Sequence, residues 1–407
     1  MKISLNWSKF LTAFPPHLAI KSITKMTTIN NLGRREFIKN TAVASVAAVM
    51  QPNLNGYIAG NTLPKWKGFN LLDFFSPNPA AARPATQELY FKWMADWGFD
   101  FVRIPMAYPS YLKFDRTKPI TPKDVTKINQ KAVDRIEELV SMAHKYKLHV
   151  SLNLHRAPGF CVNAGFQEPY NLWQDAEALD AFCFHWAFWA KKYKRVASKL
   201  ISFDLLNEPC TREDMNDQHS KRGPVPGEKY RQLAQAVGKA IWDQNPNHLI
   251  IADGNNVGRD VIPEIKDLKI AQSCRGYHPG IISHYKAPWA FKDVDNLPEP
   301  KWPGQVGDQY LSKAMLEEFY RPWIELANSG IGVHCGECGC WNKTPHDVFL
   351  AWFKDVLSIL SSNGIGFALW EFRGSFGLID SERSDVDYED WYGHKLDRKL
   401  LTLMQSV

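Results

Sequence analysis

The chain has 407 residues, of which 45% are apolar and 13% aromatic, a composition that fits a globular protein with a large core. Its formal net charge of +6 comes entirely from residues 1–60, which contain seven Lys or Arg residues and one acidic residue, Glu36. Residues 61–407 are electrically balanced, so the sequence excludes a basic surface for nucleic acid.

Residues 1–60 have the order of an export leader. Residues 33–39 read GRREFIK, and a short, mildly apolar run follows at residues 41–50. This order is typical of a twin-arginine signal, so we expect export by that machinery to the periplasm or the cell exterior. An ordinary basic stretch before an apolar helix is the alternative. The run is too short for a permanent membrane span, and we expect translation to start at Met26 and processing between about residues 50 and 62.

Beyond residue 64 the chain alternates short strand-like runs with longer helical patterns. Helices are predicted over Ile128–Tyr146 and Tyr230–Gln244, where apolar residues recur three and four apart. Eight strands are predicted: Gly68–Leu72, Phe99–Met106, His149–His155, Ile201–Asn207, His248–Asp253, Ile270–Tyr277, Gly332–Glu337 and Gly366–Glu371. Eight βα units predict the α/β class and a (β/α)8 TIM barrel, formed as one catalytic domain by residues 61–407.

Two glutamates end predicted strands that lie far apart in the chain. Glu208 follows Asn207 in FDLLNEP, and Glu337 is at the centre of VHCGECGCW. The carboxyl ends of parallel strands meet at one mouth of a barrel, so the two carboxylates are expected to converge there. A protonated carboxyl and an ionised one are what retaining glycoside hydrolysis requires, and this chemistry needs no metal and no organic cofactor.

Seven cysteines make an odd number, which argues against a disulfide scaffold. Cys335, Cys338 and Cys340 surround Glu337 and suggest a metal knuckle at first sight. Only one such cluster exists, and it lies on a predicted strand whose alternate side chains point in opposite directions. Structural packing is the favoured interpretation of these thiols.

Four further residues end other predicted strands in a fixed order. They are Arg103 in FVRIP, His155 in LNLH, Tyr277 in RGY and Trp370 in ALWEF. Together with the two glutamates, this ordered set resembles glycoside hydrolase family 5, the cellulase-like retaining (β/α)8 glycosidases. The resemblance runs from about Trp66 to the C-terminus.

The resemblance implies a role for each of these residues. Glu208 matches the acid/base of the family, Glu337 matches its nucleophile, and Asn207 matches the residue that binds the sugar 2-hydroxyl. Tyr277 matches a phenol that contacts the nucleophile, and Arg103 matches a guanidinium near the same carboxylate. His155 matches a histidine beside the catalytic pair, and Trp370 matches a platform under the reacting sugar. Each of these four could instead be structural.

The sequence departs from the family pattern after the sixth predicted strand. The familiar cellulases have His-x-Tyr there and Thr-His-Gln in the following loop, whereas this chain has RGY at 275–277 and SHY at 283–285. The guanidinium of Arg275 adds a permanent charge and removes a titrating imidazole next to the catalytic pair. We expect Arg275 and His284 to bind substrate in a subfamily that takes another sugar or linkage, although Arg275 could merely bind a scaffold carboxylate.

Long loops rich in Pro, Gly and aromatic residues follow the third, fourth and sixth predicted strands. Trp173, Trp289 and Trp302 lie in or beside them and are candidates to stack on sugar rings, although each could anchor its loop instead.

The predicted function is a secreted retaining β-glycosidase that hydrolyses a polysaccharide or its oligosaccharides, β-glucan or a related glycan. Endo and exo action both stay open. One alternative is a non-catalytic carbohydrate-binding barrel, against which the two intact glutamates argue. The other is a metal-dependent barrel hydrolase, which would need clusters of His and Asp at strand ends.

Overall fold

The computed structural model describes residues 60–78 and 84–407, so nearly all of the predicted leader lies outside the described residues. In the described part of the chain the central sheet has eight parallel strands, with the short antiparallel segment Phe160–Cys161 paired to the third. The eight are β1 Lys67–Asn70, β2 Phe101–Ala107, β3 His149–Ala157, β4 Ile201–Asp204, β5 Leu249–Asp253, β6 Ala271–Gly276, β7 Val333–Cys338 and β8 Gly366–Leu369. The longer helices are α1 Glu88–Asp96, α2 Gln130–Lys145, α3 Ala176–Lys192, α4 Gly227–Trp242, α5 Lys313–Asn328, α6 His346–Ser362 and α7 Arg398–Gln405.

The eight strands are parallel and close on themselves. Each strand pairs with its neighbours in chain order, and β1 pairs with both β2 and β8. Gly68 of β1 stands opposite Phe101 on one side and Ala368 on the other. The (β/α)8 prediction is therefore confirmed, and all eight strands point their carboxyl ends at one face.

The helices cover the barrel with one apolar side each. In α2 the buried residues Val133, Ile136, Val140 and Ala143 recur at helical spacing. This spacing turns one stripe of the helix toward the strands and leaves the other side to solvent.

Four predicted strands end earlier than expected. β1 stops at Asn70 rather than Leu72, and β6 stops at Gly276 rather than Tyr277. β4 stops at Asp204 rather than Asn207, and β8 stops at Leu369 rather than Glu371. After β4 the chain turns, and Glu208 has a φ of 47°, in the left-handed region that non-glycine residues seldom occupy. The predicted site residues Glu208 and Trp370 therefore belong to the turns that follow β4 and β8, not to the strands themselves.

The seven cysteines are all in the described part of the chain, and all are free thiols. Cys335, Cys338 and Cys340 are buried, and each thiol donates to a backbone carbonyl oxygen at 3.2–3.3 Å, so they pack in the protein interior as structural residues. Within residues 60–78 and 84–407, no helix has the length and apolar character to cross a membrane, and no group of His, Cys, Asp and Glu is arranged to hold a metal ion.

Candidate active site

A cavity of about 1220 Å³ opens where strand ends and their following loops meet. Eight of the residues predicted for the site line it: His155, Glu208, Arg275, Tyr277, His284, Trp289, Glu337 and Trp370. Arg103 and Asn207 are buried behind this lining and bind to it. The structure therefore brings ten of the predicted site residues together.

Glu337 reaches the cavity from an irregular point in β7. The register with β6 shifts between Cys335 and Glu337, which marks a β-bulge at Gly336. A bulge turns the following side chain, and bulges are common next to active sites. A Cβ on Gly336 would lie 2.6 Å from Ser273 Oγ, so the close fit of the bulge against β6 explains a glycine directly before the glutamate.

The Glu337 carboxylate is held by three donors. Arg103 Nη1 donates to its Oε1 at 2.6 Å, Tyr277 Oη donates to its Oε2 at 3.2 Å, and Arg275 Nη2 lies 3.3 Å from Oε1. The two guanidinium groups place positive charge beside this carboxylate, and together with the phenol they fix its orientation.

Arg103 joins the nucleophile to the residues behind it. Its Nε donates to Asp204 Oδ2 at 2.6 Å, its Nη2 to Asn207 Oδ1 at 2.8 Å and its Nη1 to Asn70 Oδ1 at 3.1 Å. The Asn207 amide is thereby oriented, and its buried Nδ2 has no hydrogen-bond partner within 3.5 Å in the described part of the chain.

Glu208 stands in an environment unlike that of Glu337. Its backbone N–H donates to Asp253 Oδ2 at 3.0 Å, and its Oε1 accepts from Arg275 Nε at 3.0 Å. Burial, followed by the negative charge of Glu337, raises the pKa of Glu208 to about 7, although Arg275 acts in the opposite direction. A carboxyl that keeps its proton near neutral pH can act as a general acid.

Arg275 has the scaffold carboxylate partner that one of its two interpretations expects, and its substrate-binding role stays a prediction. It binds both oxygens of the scaffold carboxylate Asp253, and it also contacts both glutamates. Sequence reasoning missed Asp253 and Asp204. The available signal was a single acidic residue closing an apolar strand, as in LIIAD and ISFD.

Aromatic side chains form two groups in the lining of the cavity. In the first group, His155 lies 5.6 Å from Trp370 and 4.6 Å from Phe75, measured between ring centroids. Burial, and then the charges of Arg103 and Arg275, lower the pKa of His155 well below its usual value, so its ring is neutral.

A second aromatic group in the lining consists of His284, Trp289, Trp341 and Phe376, whose ring centroids lie 4.6–6.4 Å apart where they are in contact. Trp289 is 38% exposed, which leaves part of its indole open to the cavity. Sequence reasoning missed Phe75, Trp341 and Phe376, because an isolated aromatic residue in a loop gives no periodic signal.

Two of the tryptophans proposed for stacking are not at the cavity. Trp173 packs against Phe160 and Tyr230, and Trp302 is 7% exposed with its Nε1 donating to Asp355 Oδ2 at 3.0 Å. Both have the loop-anchoring position that was the alternative for them.

Comparison with known proteins agrees with this geometry. Residues 57–375 match the family model described as cellulase (glycosyl hydrolase family 5). Endoglucanase C of Acetivibrio thermocellus is 24% identical over 323 residues, which cover 73% of this chain and 87% of the relative. Cellodextrinase A of Ruminococcus flavefaciens is 24% identical over 278 residues, with 67% and 74% covered.

A solved structure described as a glycoside hydrolase is 34% identical to this chain, with a TM-score of 0.75, and the match covers 84% of this chain and 99% of that one. The structure of a hyperthermophilic endo-β-1,4-glucanase, 22% identical with a TM-score of 0.62, shares the fold. The family model covers most of the chain, so this chain belongs to glycosyl hydrolase family 5 and is a glycoside hydrolase.

Proposed function

We propose that this protein is a retaining β-glycosidase in which Glu337 is the nucleophile and Glu208 is the acid/base. One observation carries the proposal: the guanidinium of Arg275 touches both carboxyl groups in the cavity, through Nε to Glu208 and through Nη2 to Glu337. Carboxyl groups about 5–5.5 Å apart characterise retaining enzymes, and a single bridging guanidinium supports a close pair of this kind.

The reaction proceeds in two steps. Glu337 attacks the anomeric carbon while Glu208 gives its proton to the leaving oxygen, and a covalent glycosyl-enzyme forms. Glu208, now ionised, takes a proton from water, and the resulting oxygen nucleophile releases the sugar from Glu337. The environments fit these roles, because Arg103 and Tyr277 donate to Glu337 whereas burial raises the pKa of Glu208 to about 7.

We propose a β-glucan or its oligosaccharides as the substrate. Support comes from relatives named endoglucanase and cellodextrinase, and from the two aromatic groups that line the cavity, since aromatic faces suit the stacking of sugar rings. Asn207 Nδ2 fits the sugar 2-hydroxyl, and Trp370 fits a platform under the reacting ring. Export through the twin-arginine route is part of the proposal and rests on the GRREFIK segment alone.

A covalent trap tests the two roles. The purified protein is incubated with a 2-deoxy-2-fluoro β-glucoside or β-cellobioside that carries a good leaving group, and the labelled peptide is identified by mass spectrometry. We expect the label on Glu337. A label on another residue, or no label on a protein that hydrolyses the parent glycoside, would contradict the assignment.

Glu337→Gln and Glu208→Gln complete this test. Loss of the nucleophile should abolish turnover, whereas loss of the acid should slow substrates with poor leaving groups by about 10²–10⁴-fold and activated aryl glycosides much less. Bound oligosaccharide without turnover in the unmodified protein would instead favour a carbohydrate-binding barrel.

A further inference from the structure

Arg275 uses its whole guanidinium in contacts with the catalytic centre. Nε donates to Glu208, Nη1 donates to Asp253 Oδ1 at 3.0 Å and Ser273 Oγ at 3.2 Å, and Nη2 donates to Asn207 Oδ1 at 3.0 Å and to Asp253 Oδ2. Neither lysine nor histidine offers this fork of donors. The side chain is therefore fixed in one orientation, and Asp253 takes two of its bonds.

Asp253 also holds the backbone of the acid/base directly. Its Oδ2 accepts the Glu208 N–H at 3.0 Å, at the residue whose φ is 47°. A left-handed conformation at a non-glycine residue is unfavourable and persists only where its surroundings impose it. The carboxylate of Asp253, which is fully buried, is one of those surroundings.

The turn after β5 strengthens the same arrangement. Asn256, Val257 and Gly258 all have positive φ, at 52°, 58° and 75°. A Cβ on Gly258 would lie 2.5 Å from Arg275 Cγ, and Val257 N–H donates to the carbonyl of Pro209, the residue after the acid/base, at 3.3 Å. A positive φ is strained in a β-branched residue such as Val257, and such strain is found mainly at sites where function requires the conformation.

We propose that Asp253 is a positioning residue for the acid/base: through the Glu208 backbone and through Arg275, it fixes the place of the proton donor and balances the permanent charge beside it. The proposal rests on the proposed role of Glu208. It assigns to the carboxyl end of β5 a function in the reaction that the sequence pattern did not reveal.

The charges around Glu208 determine in which direction each variant should shift the pKa of this carboxyl. Glu208 is faced by Glu337 from β7, Arg275 from β6 and Asp253 from β5, and further charges and titrating groups lie around these three: Arg103, Asp204, Tyr277 and His155. Removing the negative charge of Asp253 leaves Arg275 unbalanced, which stabilises ionised Glu208. Removing Arg275 has the opposite effect.

The pH dependence of kcat/KM therefore separates positioning from simple structural support. A glycosidase loses activity at alkaline pH when its acid/base gives up its proton. We expect Asp253→Asn to move this alkaline limb to lower pH and Arg275→Gln to move it to higher pH, each by about one pH unit. The double variant should lie close to the unmodified protein.

The leaving group supplies a second readout. Asp253→Asn should slow a glycoside with a poor leaving group by about tenfold or more, and an activated dinitrophenyl glycoside much less, because the second substrate needs little help from the acid. Asp260→Asn is the matched control, since Asp260 is exposed in the same turn and should leave both readouts unchanged.

Alkaline limbs that move in the same direction in both single variants, or equal losses on both substrates, would overturn the proposal. If Asp253→Asn does not fold, Arg275→Gln decides the matter, and a limb that stays or moves to lower pH would overturn it. An active Glu208→Gln enzyme on poor leaving groups would instead reject the proposed function itself, which keeps the two failures distinct.

Discussion

Tyr277 shows how one side chain can tune the nucleophile. Burial, and then the charges of Glu337 and Glu208, raise the pKa of Tyr277 well above its usual value, so the phenol keeps its proton and donates to Glu337 Oε2 at 3.2 Å. We expect Tyr277→Phe to lower kcat by about tenfold to a hundredfold, the range of a hydrogen bond to a charged group. Steady-state kinetics on an aryl glycoside checks this, with Tyr285→Phe as the control. An unchanged kcat in this variant would contradict a role for Tyr277 in the reaction.

At this scale the sequence predicted the residues that carry chemistry better than those that support them. Glu208 and Glu337 stand at strand ends in recognisable surroundings, and both line the cavity. Asp204 and Asp253 were missed because each reads as the polar end of an apolar strand. Their partners, Arg103 and Arg275, come from other strands, 101 and 22 residues away in the chain, so the ion pairs form only once the strands have assembled.

The loops join one another above the barrel. Gln218, in the loop after β4, accepts from Ala164 N at 2.8 Å in the loop after β3 and donates to the Trp289 carbonyl at 3.4 Å in the loop after β6. Asp217 and Lys292 add an ion pair at 3.7 Å. Three loops that the sequence singled out separately are thus one connected rim.

Gln218→Ala should loosen this rim and the position of Trp289. We expect the KM for a β-glucan oligosaccharide to rise by about three- to tenfold, the loss of one or two exposed hydrogen bonds, with a smaller change on a short aryl glycoside. Gln232→Ala on the exposed side of α4 is the control. Equal changes in KM on the long and the short substrate would show that the rim does not contact the distal sugars.

All eight predicted strands are present, and their boundaries are where prediction was weakest. The apolar runs determine where a strand begins, because burial in the barrel requires them. The carboxyl ends at Asp204 and Leu369 depend on turns that tertiary contacts impose, such as the bond from Asp253 to the Glu208 backbone. Sequence periodicity carries no information on such contacts.

In the molecule as a whole, the first described residues fasten the barrel at its amino-terminal end. Asn61 Nδ2 donates to the carbonyls of Val333 at 2.7 Å and Gly364 at 2.9 Å, and Asn61 Oδ1 accepts from Val333 N at 2.8 Å. Lys67 Nζ donates to the carbonyl of Val407 at 2.9 Å and so ties β1 to the C-terminus. Asn61 Oδ1 also accepts from Leu63 N at 3.2 Å, so removing Asn61 would break four hydrogen bonds, at about 1 kcal/mol each.

We therefore expect any leader processing to occur before Asn61, so that the exported protein begins between about residues 50 and 60. Terminal sequencing of protein recovered from the periplasm or medium checks this. Replacing both arginines at 34 and 35 by lysine should leave the chain unprocessed inside the cell. An exported protein that starts at Met1, or beyond Asn61, would contradict the expectation.

The salt bridge between Arg275 and Asp253 also bears on the choice of inhibitor. Protonated iminosugars imitate the positive charge that develops on the sugar in the transition state. The Asp253 carboxylate offsets the charge of Arg275, which cannot release a proton as an imidazole can. A protonated iminosugar should therefore bind the unmodified enzyme and lose affinity in the Asp253→Asn variant, whereas an uncharged lactone or lactam should bind both alike.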